Sequence, residues 1–86
     1  METMFKIIGS KRIENTYNKD RTELLNGRVC SEIHFKCLDD CQISVNNSKP
    51  IFLQSNECFD LSGYGVIVIF EILTKNVNYK WWAIEN

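Results

Sequence analysis

The chain has little of what enzymes and membrane proteins are commonly built from. It carries one histidine, one proline and four glycines among 86 residues. Its longest apolar run, Val66 to Phe70, falls far short of the ~20 residues that span a bilayer as a helix. Neither sign of charge dominates, because ten Lys and Arg oppose eleven Asp and Glu for a formal net charge of −1. Non-specific nucleic-acid binding needs a basic excess, so no nucleic-acid partner is expected, and no anionic membrane either. The start, Met1 to Gly9, lacks the basic n-region and the small-residue cleavage site of a secretory signal. Production in a reducing cytoplasm is therefore expected.

The motifs of catalysis and metal binding are missing as well. There is no G-x-S-x-G elbow, P-loop or H-E-x-x-H. Gly63-x-Gly65 has no strand–loop–helix setting that would make it a phosphate cradle. His34 shares a strand face with Cys30, but four strand residues separate them, about 13 Å by strand rise. That is too far for a Cys–His pair, and His34 is expected to face solvent beside Glu32 and Lys36. Asp39-Asp40 lacks the oxygen-rich loop of a calcium site and reads as a solvated turn. The four cysteines, Cys30, Cys37, Cys41 and Cys58, contain no C-x2-C knuckle. Small buried thiols are the expected state. A zinc site and a Cys37–Cys41 disulfide are the alternatives. No enzyme activity, metal or cofactor is expected.

What is present is strand. Residues 1–86 suffice for one domain with one modest core. From Arg28 to Cys37 the chain alternates, with Val29, Ser31, Ile33, Phe35 and Cys37 on one face and Cys30, Glu32, His34 and Lys36 on the other. Cys41, Ile43 and Val45 keep the period of two. Asn46-Asn47-Ser48-Lys49 reads as a hairpin turn, because Asn tolerates left-handed backbone. Pro50 opens Ile51-Phe52-Leu53, as a proline can at an edge. Ser55-Asn56 is a second turn, and Glu57 to Leu61 a strand with Phe59 and Leu61 inward. Ser62-Gly63-Tyr64-Gly65 reads as a break, and Val66 to Leu73 as a central strand covered on both faces. Lys75-Asn76 then turns a hairpin into Val77 to Ile84.

The first third is less regular. Phe5 to Ile8 and Arg12 to Tyr17 read as short strands, and Asp20 to Asn26 as a helical turn or a loop. No segment sustains a helical apolar period. The expected fold is all-β, a small antiparallel β-sandwich or jelly-roll-like barrel of about seven or eight short strands.

Trp81-Trp82 is the pair most suggestive of function. Neighbours on a strand face opposite ways, so a one-sided core can hold only one of them. The other is free to cover an edge or meet a partner. Trp81, Trp82 and Tyr64 are the candidate interface residues, and self-association is the expected mode.

Abundant Asn, Lys and Ile point to AT-rich codons, as in a low-GC bacterium or one of its phages. The stretch from Asn26 to Phe59 resembles small β-sandwich structural proteins of tailed phages and prophages. The likeness lies in Ile43-Ser44-Val45-Asn46-Asn47, Pro50-Ile51-Phe52-Leu53 and Asn56-Glu57-Cys58-Phe59. It implies a non-enzymatic, virion-associated protein, such as a capsid decoration, head-fibre base or tail accessory, made in the bacterial host cytoplasm. The alternative is a phage-encoded host-interaction or anti-defence protein. Such a protein would bind a host protein or sequester a small signalling molecule at a subunit interface, near Trp82, Tyr64 and basic residues.

Overall fold

The computed structural model describes residues 6–86, apart from the side chain of Tyr64. Within them run nine strands and no helix: β1 (Lys6–Ile8), β2 (Glu14–Asn15), β3 (Thr22–Glu23), β4 (Cys30–Cys37), β5 (Cys41–Val45), β6 (Ile51–Leu53), β7 (Cys58–Ile67), β8 (Phe70–Ile72) and β9 (Asn78–Glu85). They form two antiparallel sheets. The first has the order β1-β9-β4-β7, with β2 also pairing β9; the second has the order β3-β8-β5-β6. No strand is shared between the sheets, so the fold is a sandwich and not a closed barrel. Phe70 of the second sheet meets Phe35 and Phe59 of the first at ring-centroid distances of 5.1 and 6.0 Å. Around this contact Leu25, Ile33, Ile43 and Ile72 are fully buried.

The turn chemistry acts as its residue types dictate. Asn46 and Asn47 both have positive φ, and the Ser48 N–H returns to the Val45 carbonyl at 2.9 Å, closing the β5–β6 hairpin. Asn56, with φ of 67°, turns the chain from β6 in one sheet to β7 in the other, and the Glu57 N–H returns to the Gln54 carbonyl at 3.0 Å. Pro50 precedes β6, which is an edge strand.

Several expectations fail, each for a physical reason. The run from Val66 to Leu73 is not one central strand. Its first half ends β7 and its second half is β8, in the opposite sheet. Ile67, Phe70 and Ile72 are buried while Val66 and Val68 are exposed. The crossing is pinned by Asn46, whose Oδ1 accepts from the Val68 and Ile69 N–H groups at 2.8 and 3.1 Å. Its Nδ2 donates to the Val66 carbonyl at 3.0 Å. The supposed break at Ser62 to Gly65 lies within β7, where Gly63 and Gly65 take positive φ and absorb extra residues opposite β4. β4 itself shifts register between Cys30 and Glu32. The shift reverses the alternation there, so Cys30 is buried and Val29 exposed.

Lys75-Asn76 is a turn but not a hairpin, because it carries the chain from β8 in one sheet to β9 in the other. Asp20 to Asn26 holds no helix. Glu23 sits in β3, and its carboxylate accepts from the N–H groups of Leu25, Asn26 and Phe70 at 2.8, 2.7 and 3.3 Å. Arg12 to Tyr17 contributes only the two residues of β2. Phe5, expected to open the first strand, lies outside the described residues.

Candidate functional site

The outer face of the first sheet carries the site. On β9, Tyr79, Trp81 and Ala83 point into the core, so Lys80, Trp82 and Ile84 point outward. Register then builds rows across three strands. His34 of β4 lies between Asp60 of β7 and Trp82 of β9. Lys36 lies between Cys58 and Lys80 in the next row, and Glu32 between Ser62 and Ile84 in the row on the other side. Long regular strands make this possible, since side chains at every second position stand side by side on one face.

Trp82 stands at the centre and is braced from two sides. The His34 ring stacks on it with centroids 4.3 Å apart and planes 20° apart. Lys11 reaches it from the β1–β2 side, with Nζ 4.9 Å from the ring centroid. Lys11 arrives there through a tight approach at Gly9. A Cβ on Gly9 would sit 2.7 Å from the Trp81 carbonyl oxygen and 2.9 Å from the Trp82 Cα, and its φ is +88°. Only glycine fits, and the Lys11 N–H then bonds the Trp81 carbonyl at 3.2 Å.

His34 is held in turn. Its Nδ1 lies 2.6 Å from Asp60 Oδ1 and its Nε2 2.5 Å from Glu32 Oε2. The bond to Glu32 chiefly raises the imidazole pKa above 6.5; partial burial opposes the rise and Asp60 adds to it. His34 thus lies on the outer face beside Glu32 and Lys36, as expected, but is clamped by two carboxylates and partly buried. The face encloses an open groove of about 340 Å³ bordered by Lys11, His34, Lys36, Cys58, Lys80 and Trp82.

The two tryptophans among the sequence candidates differ in burial. Both border the groove, but Trp82 stands on its outer face, whereas Trp81 is 7% exposed and its side chain belongs to the core. The side chain of Tyr64 lies outside what is described. Sequence reasoning missed His34, Asp60 and Lys11 as partners of Trp82. The alternation from Glu32 to Lys36 signalled the His34 face, but nothing local pairs β4 with β7.

The remaining polar candidates serve the fold. Asp39-Asp40 lies in the turn between β4 and β5, with Asp40 exposed as expected, but both carboxylates also hold backbone: Asp39 Oδ2 accepts from the Asn78 N–H at 2.8 Å, and Asp40 Oδ1 from the Ser55 N–H at 2.8 Å. Cys30, Cys37 and Cys41 are buried free thiols, and Cys58 is an exposed one. The Cys37 thiol donates to the Gln54 carbonyl at 3.1 Å. Burial, then the neighbouring Cys37, pushes the Cys41 pKa up to about 12. That makes Cys41 a poor nucleophile. Among the described residues no three His, Cys, Asp or Glu side chains come together as a metal site.

No family model, curated protein or solved structure matches this chain, and nothing in these comparisons links it to phage β-sandwich proteins.

Proposed function

We propose that the protein is a non-enzymatic binding module that docks on another protein through the outer face of its first sheet. The observation that carries this reading is Trp82. A large aromatic side chain stands outside the core and is held rigid by His34 and Lys11. Preorganised aromatics of this kind anchor interfaces, because little conformational freedom is lost on binding. Ile7 and Ile13, on the strand and loop beside β9, are 58% and 64% exposed and extend the apolar surface. A non-catalytic role is supported by His34, whose two ring nitrogens are both engaged by carboxylates and so offer no free base. The likeness to phage and prophage structural proteins suggests the setting, a virion assembly in which this face meets a neighbouring component. A host-directed role would use the same face. The groove's volume, near the lower end of ligand-sized pockets, also favours a second reading, capture of a small anionic signalling molecule.

The test is site-specific photo-crosslinking in the cells that make the protein. A photo-crosslinking amino acid is placed at position 82 and, as control, at position 52. Phe52 is an exposed residue of the other sheet. A discrete protein adduct from position 82 and none from position 52 is expected. Adducts from both alike, or from neither, would overturn the docking role of this face.

A further inference from the structure

The charge on this face is out of step with the chain. The protein is slightly acidic overall, at −1. The groove nevertheless gathers Lys11, Lys36 and Lys80. Among the described residues none of the three makes an ion pair. The two carboxylates of the same face, Glu32 and Asp60, are both turned to His34. Lys36 and Lys80 are direct cross-strand partners. Like charges in that position repel and destabilise a sheet, so an anion seated between them gives back what the free protein loses.

The shape limits what that anion belongs to. β9 lies between β1 and β4. Lys11 and His34 therefore approach the Trp82 ring from opposite sides, and its edge is what faces the groove. A planar base has no free ring face to stack on, which disfavours a nucleotide or single-stranded nucleic acid. A two-fold contact of this face with itself would set lysines against lysines. An extended peptide meets both features, because its side chains reach the lysines and the Trp82 edge together.

We propose that the groove takes an acidic segment of the partner protein, with carboxylates seated between Lys36 and Lys80 and near Lys11, and apolar side chains against Trp82, Ile84 and Ile7. The proposal rests on the docking role of this face and names the chemistry of what docks.

The test titrates ¹⁵N-labelled protein with three probes: a peptide of alternating glutamate and valine, the same peptide with glutamine for glutamate, and inorganic phosphate. The acidic peptide is expected to shift the amides of Lys36 and Lys80 and the Trp82 indole N–H. Its affinity should fall about tenfold in the Lys36→Gln/Lys80→Gln double variant, and the glutamine peptide should bind about tenfold more weakly. Rising salt should weaken the acidic peptide selectively. Urea midpoints show that each variant folds, and Trp82→Phe serves if Trp82→Ala does not. Absence of shifts with the acidic peptide overturns the proposal. Saturation by phosphate at the same concentration overturns it in favour of a small-anion site. Equal binding of the two peptides, lost in Trp82→Ala, overturns the acidic partner and leaves the docking face standing. Loss of the position-82 crosslink removes both.

Discussion

The two sheets use their polar side chains differently. The second sheet is made of strands two to five residues long. So few ladder bonds cannot satisfy the backbone at its ends, and side chains supply the rest. Glu23, Asn46, Ser48 and Thr74 all accept from main-chain N–H groups there. The first sheet has strands of eight to ten residues at β4, β7 and β9, whose ladders satisfy most of their own backbone, with side-chain acceptors such as Asp39 confined to the start of β9. Its outward polar side chains bond to each other instead, as Glu32, His34 and Asp60 do. A short-stranded sheet therefore commits more of its polar residues to the fold, while a long-stranded one leaves those along its middle for a surface.

The largest expected effect separates the two faces of the first sheet. Trp81→Ala should cost about 3–5 kcal/mol, as for a buried aromatic. Trp82→Ala should cost about 1 kcal/mol, since its ring is only half-buried. Urea denaturation measures both, and equal losses would mean that Trp82 is a structural residue like its neighbour.

The next effect tests the capping of the second sheet. Glu23→Ala leaves three N–H groups without their acceptor and should cost about 2–3 kcal/mol in the same assay. Asp60→Ala removes one exposed partner of His34 and should cost less than half as much. If the order reverses, the contrast between the sheets is wrong.

The smallest effect is a pH dependence. The folded pKa of His34 lies above its ordinary 6.5, with the Glu32 hydrogen bond as the main cause. The proton is then held more tightly in the folded state. This stabilisation is complete below pH 6.5 and is lost as pH rises through the higher folded pKa. The urea midpoint should therefore decline over that window in the wild type and hold level in His34→Gln. An NMR titration of His34 with a midpoint at or below 6.5 would break the clamp described for it.

Legibility followed distance along the chain. The all-β class and the division of β9 into two alternating sets were readable, because alternation is local; which set faces the core was not, and packing placed Tyr79, Trp81 and Ala83 inward. The hairpin at Asn46-Asn47 was readable too. The Val66 to Phe70 run was not, since an apolar run reads alike whether two layers cover it or the chain crosses between sheets. The decision came from Asn46, more than twenty residues away. The alternation of β4 failed at Cys30 because a register shift depends on its neighbours, which no period reveals. Of the site, Trp82 was legible as a candidate. His34 and Asp60 lie 26 residues apart and meet only through the pairing of β4 with β7.

By itself the sequence determined where strands alternate and where the chain turns, because side-chain direction and the tolerance of Asn and Gly for positive φ are properties of single residues. The tertiary structure alone decided which strands are neighbours, in what register, and hence that three lysines, a clamped histidine and one of two tryptophans share a face. Those are pairings between distant segments, fixed by the packing of both sheets on one core.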